Sequence, residues 1–397
     1  MKICAAILRC LSANVAFLSP AQACSHMNRS ILFICLGLIA HPVVKAQLGG
    51  QEVFRVLEIP SSARLAALGG THIALMDDDL NLGIFNPALL NAAMTKQVAL
   101  SYLPYFDGVK VGFGSYAHHF DSLRTTFSGT VQFVDYGTFT RTEGDGTEVG
   151  TFRAGEYVFQ IGAARALDSL FSVGANVKFI TSSLDTYNAT GWAADLGAVY
   201  AKRSLGLTVA AMVKNIGFVS SSYTATKEKL PFEVQLGITY KFKHAPFRLG
   251  LNLENLQQWD LTYDDPAQQV EVDPTTGEEV VTKVSFGTKT LLHLVPNVEV
   301  LLGRYFHLRA GFDFRRRREL KVDAKAGIAG LCFGAGIRVS KFHLSYGFAQ
   351  YHLAGISNTI TLATRFNDFR RPPPGQEKPR KAKRAKKAEE VPIVPEG

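Results

Sequence analysis

Three side chains that can bind a cation, Asp77, Asp79 and Asn81, stand at alternate positions in the chain. This spacing opens a calcium-binding loop, whose first, third and fifth positions supply oxygen ligands. Such a loop also needs glycine at its sixth position and a bidentate glutamate at its twelfth. Leu82 and Ala88 stand there instead. No metal site is therefore predicted, and we interpret the cluster as capping a turn or pairing with basic side chains.

Histidine is the side chain best suited to proton transfer near neutral pH. His118 and His119 are adjacent in an alternating segment, so they must face opposite sides of a strand. The other histidines of alternating segments have no nucleophile motif beside them: His293, His307, His343 and His352. The Gly-x-Ser-x-Gly motif of esterases is absent from the sequence. The prediction is a protein that is not an enzyme, with no catalytic residue and no cofactor.

The N-terminus has the pattern of an export signal. A basic start at Met27-Asn28-Arg29 precedes an apolar run, Ile31 to Ile39, and Val44-Lys45-Ala46 fits a signal-peptidase site. Residues 1–46 are therefore predicted to be a signal-peptide region with its true start at Met27 and cleavage after Ala46. Only Cys332 follows that position, so no intrachain disulfide can form.

Composition favours a β-barrel over a bundle of membrane helices. The mean hydropathy is only +0.06, and the chain holds 35 Gly, 27 Phe and 13 Tyr, as expected of a barrel with aromatic girdles. The formal net charge of +9 comes largely from a basic stretch, Arg370 to Lys387, after the last alternating segment. Residues 369–397 are predicted to be a disordered periplasmic tail, and this charge does not imply nucleic acid as a partner.

Hydrophobicity alternates with a period of two from Val98 onward, which indicates strands. In the clearest case, Phe232, Val234, Leu236, Ile238, Tyr240 and Phe242 alternate with Glu233, Gln235, Gly237, Thr239 and Lys241. Charged residues on the polar face suit a wet lumen, so a barrel is favoured over a soluble sandwich. The exposed aromatics are interpreted as interface girdles: Tyr102, Tyr105, Phe106, Trp192, Tyr200, Tyr240, Tyr346 and Tyr351.

The joints between strands predict the topology. Tight joints occur near residues 121, 168, 203, 245, 304 and 340, and long polar ones at 137–155, 218–229, 257–287 and 315–325. In outer-membrane barrels short turns face the periplasm and long loops face outside. The alternation predicts an all-β, transmembrane antiparallel barrel of about 14 strands over residues 97–368. Arg315 to Arg318 falls in an external loop, where it would bind lipopolysaccharide or an acidic partner, or simply be solvated.

The stretch of residues 59–90 has a different pattern from the strands. Ser61 to Leu68 predicts about two turns of helix, Gly69-Gly70 ends them, and Asn86-Pro87 forces an extended or turned backbone. Residues 47–96 are therefore interpreted as a small plug segment. Its ordered motif comprises Ser62, Ala63 and Arg64, then Leu68, Gly69 and Gly70, then Asp77, Asp78, Asp79 and Asn81, and finally Asn86, Pro87 and Ala88.

This ordered motif ahead of a barrel resembles the FadL-like outer-membrane barrels, and within them the PorV/PorQ family of the type IX secretion system. The resemblance covers roughly residues 49–366. It implies location in the bacterial outer membrane and a role in anchoring or assisting the cell-surface attachment complex for secreted proteins. The implied partners are membrane lipid and PorV-like, PorU-like and PorZ-like proteins.

The alternative is a FadL-type transporter of hydrophobic small molecules. Such a transporter needs an apolar pocket in its lumen. The polar face of the strands instead carries charged and amide groups: Arg124, Gln132, Lys178, Glu233, Lys241, Glu254 and Arg309. The sequence therefore favours the secretion role over transport.

The predicted orientation is testable by cysteine labelling on intact cells. In a Cys332→Ala background, Ala267→Cys places a thiol in the long joint 257–287, and Ser169→Cys places one in a tight joint. We expect an impermeant maleimide to label the first variant and not the second, because only the long joints face outside. Labelling of both after outer-membrane permeabilisation is the control, and the reversed pattern on intact cells would contradict the orientation.

Overall fold

The computed structural model describes residues 52–105, 107–224, 228–262, 284–320, 328–352 and 355–369. The predicted export signal and the basic tail from Arg370 lie outside these ranges. Within them, no helix has both the length and the apolar character needed to cross a membrane.

Fourteen antiparallel strands form a closed barrel in the described part of the chain. They are β1 (Gln97–Pro104), β2 (Lys110–Phe120), β3 (Thr125–Thr142), β4 (Glu148–Ala166), β5 (Phe171–Leu184), β6 (Tyr187–Lys202), β7 (Leu207–Ser221), β8 (Glu233–Lys241), β9 (Phe247–Leu253), β10 (Leu294–Leu302), β11 (Phe306–Phe312), β12 (Leu331–Val339), β13 (Phe342–His352) and β14 (Gly355–Arg365). Each pairs with its neighbours in sequence, and β1 pairs with β14, from Gln97 opposite Arg365 to Tyr102 opposite Ile360. The predicted 14-strand antiparallel barrel is confirmed.

The alternating sequence produces a barrel with an apolar outer face, and strands such as β8 turn polar side chains to the lumen. On β8, Glu233, Gln235 and Thr239 are buried, whereas Leu236, Ile238 and Tyr240 are exposed. Because exposed apolar side chains on every strand would be unfavourable in water, this surface needs hydrocarbon around it. The wall is therefore that of an outer-membrane barrel.

The six tight joints lie at one end of the barrel, here called the tight-turn end. The opposite end, the loop end, departs from the prediction in two places. Residues 137–155 are not a loop, because β3 and β4 stay paired until Thr142 meets Glu148. Gly137, at φ 86°, accompanies a register shift rather than ending the strand. In addition, β5 and β6 are joined by only two residues, so tight and long joints do not strictly alternate.

One side of the barrel is taller than the other. Strands β3 to β7 are 14 to 19 residues long, whereas the other strands have 7 to 11. Near their joint, β3 and β4 are exposed on both faces, so this hairpin extends past the packed lumen. Phe139 and Phe152 stack on each other there, with 5.4 Å between ring centroids.

Residues 52–96 occupy the lumen and form the plug. Their short helices are α1 (Ala63–Ala67) and α2 (Leu82–Phe85), with 3-10 turns at Arg55–Glu58, Pro87–Leu89 and Ala92–Met94. Ser62 caps α1 by accepting the Leu65 N–H at 3.3 Å. Gly69 and Gly70 follow at φ 107° and 118°, a conformation that glycine adopts without strain. Two further helices lie in joints of the loop end: α3 (Phe286–Leu291) and α4 (Phe314–Glu319).

Candidate functional site

The plug is held to the barrel wall by a buried network of charges centred on Arg64, whose side chain is 6% exposed. Its Nη2 donates to Asp77 Oδ2 at 2.6 Å, and its Nη1 donates to Asp79 Oδ2 at 3.2 Å. Its Nε donates to Glu299 Oε1 on β10 at 2.9 Å. Glu299 also accepts from Arg248 Nη1 of β9 at 2.8 Å and from Arg309 Nε of β11 at 3.0 Å. The network therefore joins two parts of the plug to three neighbouring strands.

The acidic cluster of the plug also closes its own turn and reaches other strands. Asp77 Oδ1 accepts the Asp79 N–H, and Asp79 Oδ1 accepts the Asn81 N–H, each at 3.1 Å. Asp78 forms ion pairs with Arg338 of β12 and Arg365 of β14. The structure thus places these aspartates as turn caps and as partners of lumen arginines, the role that the sequence favoured over calcium binding.

Ionisation of these carboxyl groups follows from their partners. Burial by itself raises a carboxyl pKa, but the guanidinium of Arg64 beside Asp77 and that of Arg365 beside Asp78 oppose it. The pKa values of both aspartates therefore lie below their ordinary value. The nearby plug residue His72 is completely buried, and burial lowers its pKa to about 3, so it is neutral.

The Asn-Pro-Ala element fixes the second half of the plug. The buried Asn86 donates from Nδ2 to the Ile73 carbonyl at 2.8 Å and accepts the Ala88 N–H at 3.0 Å. The Pro87 backbone lies against Gly174 of β5, where a Cβ would come within 2.5 Å of the Pro87 carbonyl carbon. Glycine in the wall is therefore needed for this close approach of two backbones.

Helix α1 packs against the opposite wall by the same means. The Ala63 N–H donates to Thr361 Oγ1 of β14 at 2.8 Å, and a Cβ at Gly347 of β13 would overlap the Ala63 carbonyl. All the plug residues of the ordered motif thus contribute to one arrangement: a helix cap, a helix end, an ion network and an Asn-capped turn.

The arginine run at 315–318 is not the external surface that the sequence predicted. It forms most of α4, and Arg316 turns inward, where its Nη2 donates to the Gly69 carbonyl at 3.2 Å and pairs with Asp313 at 3.1 Å. Its guanidinium also lies 4.6 Å from the ring centroid of Tyr351. Buried acceptors near the plug explain this direction, and only Arg318 of the four is exposed.

The lumen near the loop end is apolar, which the sequence analysis missed. The plug side chains Val53, Phe54, Val56 and Leu57 pack there against Leu103, Val111, Phe113, Val134, Val158, Ile180, Ala189, Ala193 and Leu230. Tyr105 packs partly against this cluster and contacts Tyr351, with ring centroids 6.1 Å apart, so neither tyrosine belongs to a girdle.

Arg124, predicted to face the lumen, lies in a tight turn at φ 50°. Alternation assigned faces correctly within strands but failed where strands end.

Sequence reasoning also missed Glu299, the acceptor for three arginines. The sequence signal for this residue is a lone glutamate between Val298 and Val300 on a strand, a pattern that indicates a charged group facing the lumen. Among the described residues, no cluster of three or more His, Cys, Asp or Glu side chains has a metal-binding arrangement.

The geometry defines a class of protein: a fourteen-stranded barrel of the outer-membrane type with a plug built from its own N-terminal segment. No protein-family model matches the chain, and no curated protein matches it.

Solved structures are similar to it in fold. One is the deltaS2 mutant of TodX, a monoaromatic hydrocarbon channel, with 14% identity, a TM-score of 0.49, and coverage of 79% of this chain and 100% of that chain. Another is CymD, also a monoaromatic hydrocarbon channel, with 13% identity, a TM-score of 0.47 and coverage of 79% and 99%. A FadL homologue of Pseudomonas aeruginosa has 11% identity, a TM-score of 0.43 and coverage of 76% and 97%. At these values the likeness carries no information about ligands.

Removing Arg64 should loosen the plug. Arg64→Ala leaves the buried Asp79 and Glu299 and the half-buried Asp77 with fewer cations, and breaking a buried pair in this way costs about 3–5 kcal/mol. We expect a lower midpoint in heat-modifiability gels and in denaturant titration. The matched control is Arg55→Ala, which removes an exposed plug arginine paired with Glu58 and should cost about 0.5 kcal/mol. Equal effects of the two substitutions would contradict a locking role for Arg64.

Stability should fall in acid because the pKa values of Asp77 and Asp78 are lowered by folding. Such groups stabilise the folded state fully above their unfolded pKa of about 3.9. That stabilisation is lost as the pH falls through the lower, folded pKa. We expect the contribution of these two carboxylates, measured as the difference in unfolding midpoint between the wild type and a variant that lacks them, to be constant between about pH 7 and pH 5 and to decline below about pH 4. The double variant Asp77→Asn, Asp78→Asn should be less stable at pH 7 and less sensitive to acid; an unchanged acid response would contradict the assignment.

Proposed function

We propose that the chain is a closed outer-membrane barrel that serves as an anchor for partner proteins in secretion of the type IX kind. The observation that carries this proposal is the filled lumen. Polar contacts hold the plug near the tight-turn end, and side chains of the plug fill the apolar space near the loop end. A barrel filled in this way provides a surface for partner proteins but no passage for solutes.

The ordered motif supports the same proposal. Its plug residues hold the plug in place, so a chain that keeps them is built to stay closed. Opening would separate Arg64 from the buried Glu299 of β10, at a cost of about 3–5 kcal/mol for a broken buried pair. The motif resembles that of PorQ most closely, and the role of that family is the source of the secretion assignment.

The tall side of the wall supplies the surface for partners. The hairpin of β3 and β4 is exposed on both faces near its joint, and Phe139 is 41% exposed there. Exposed aromatic side chains are common anchors in protein interfaces. PorV-like, PorU-like and PorZ-like proteins are the partners that the resemblance implies.

A FadL-type transporter of hydrophobic small molecules is the second candidate, and the apolar cluster of the loop end favours it. Of the two predicted functions, transport is the one that matches the class of the hydrocarbon channels named above. The plug residues in this cluster are held by few polar contacts: the Val53 N–H donates to the Lys229 carbonyl at 2.9 Å, and Gln132 Nε2 donates to the Val56 carbonyl at 2.7 Å. Displacing Phe54 would open an apolar pocket of the kind that binds such ligands.

Purification of the full chain from native membranes in mild detergent distinguishes the two candidates. We expect a stable set of large surface proteins to co-purify, and we expect the double substitution Phe139→Ser, Phe152→Ser to reduce their recovery while heat-modifiable barrel remains. The control is the single substitution Phe120→Ser on the exposed wall near a tight turn, which should not reduce recovery.

The same preparation is extracted and analysed for bound lipid. Recovery of a barrel that lacks protein partners and carries bound fatty acid would contradict the anchor role and support transport. The bound fatty acid should then be lost in the variant Phe54→Trp, whose larger side chain fills the apolar cluster.

A further inference from the structure

A cavity of about 350 Å³ lies at the tight-turn end of the lumen. Seven basic side chains, three aspartates and two histidines line it. It lies between the acidic cluster of the plug and the turns that join β8 to β9 and β10 to β11. It is separate from the apolar cluster of the loop end, and it shares Arg64, Asp77 and Asp79 with the network that holds the plug.

One buried donor in this cavity lacks an acceptor. Arg309 is only 3% exposed. Its Nε donates to Glu299 at 3.0 Å and its Nη1 to Ser345 Oγ at 3.4 Å. Its Nη2 has no hydrogen-bond partner among the described residues. A buried charged N–H without an acceptor is unfavourable, so the position is one where an added acceptor is strongly favoured.

The guanidinium packs against the wall where a side chain is missing. A Cβ at Gly336 of β12 would be 2.9 Å from both Nη1 and Nη2 of Arg309, closer than a Cβ can approach, so the guanidinium fills the space at this glycine. On either side of β12, His307 of β11 and His343 of β13 line the same cavity. Their ring centroids are 6.5 Å apart. Two imidazoles and one guanidinium edge therefore surround a common space.

The charge of the cavity is positive after its ion pairs are assigned. Asp77 and Asp79 pair with Arg64, and Asp78 pairs with Arg338 and Arg365. Lys241, Lys243 and Arg304 line the cavity and form no ion pair with any described residue. An anion entering here meets unpaired cations before it reaches Arg309.

We propose that this cavity binds a small oxyanion of the phosphate class, with Arg309 Nη2 as its central donor. His307 and His343 supply further N–H donors, and Lys241, Lys243 and Arg304 attract the anion from the tight-turn end. A guanidinium edge matches phosphate oxygens in geometry and charge. The volume accommodates a phosphate alone or one carried by a single sugar, so the source is a free phosphate or the phosphorylated end of a larger molecule.

Titration calorimetry on the full chain in phosphate-free detergent buffer tests the proposal, with inorganic phosphate and glucose 6-phosphate as separate probes at constant ionic strength. We expect saturable binding of one anion per barrel. Arg309→Gln should weaken it about tenfold or more, the loss expected for one charge-assisted hydrogen bond. The matched control is Lys202→Gln, which removes a lysine beside a tight turn that does not line the cavity and should leave the affinity unchanged.

Arg309 also contacts Glu299, so a second variant separates binding from folding. His307→Ala together with His343→Ala leaves the Arg64 network intact and should weaken phosphate binding while heat-modifiable barrel remains. Tighter binding of glucose 6-phosphate than of phosphate would assign the site to a phosphorylated molecule, and equal binding would assign it to the free ion. Absence of saturable binding to the wild-type barrel, or unchanged affinity in Arg309→Gln, would overturn the proposal.

Discussion

Burial of the Arg64 guanidinium is the constraint on which the plugged barrel depends. A charge removed from water is stable only with partners that replace its hydration. Arg64 finds them in Asp77, Asp79 and Glu299, which come from a plug turn and from β10. Because Glu299 is 235 residues from Arg64 in sequence, their meeting requires both the closed barrel and the folded plug. The network thus makes plug and wall mutually dependent.

Packing around this network depends on where the wall lacks side chains. Backbone of the plug approaches backbone of the wall at Gly174 and Gly347, and neither site has space for a Cβ. Polar atoms of the plug backbone then reach wall side chains, as the Ala63 N–H reaches Thr361. Glycines, which weaken an isolated strand, are here the places where the plug backbone fills the lumen.

The lumen divides into two environments with different consequences. Its loop end is apolar and filled by Phe54 and its neighbours. The strength of a few contacts determines whether these residues close the lumen permanently or can be displaced. Its tight-turn end is charged, and there the plug's own carboxylates do not use every cation. Arg309 is the clearest example, since it is buried but only partly paired.

The sequence by itself determined the number of strands, the face that residues take within the strands and the end of α1, because alternation and Gly69-Gly70 act over a few residues. The sequence did not determine where β3 and β4 end, because Gly137 lies within the paired hairpin although glycine at this position predicts the start of a loop. Only the tertiary structure decided which charges meet: Glu299, Arg248 and Arg309 read as separate polar positions on three strands. It also decided that Arg316 turns inward and that the loop end of the lumen is apolar. Barrel closure and plug docking bring distant residues together, and no local pattern encodes those distances.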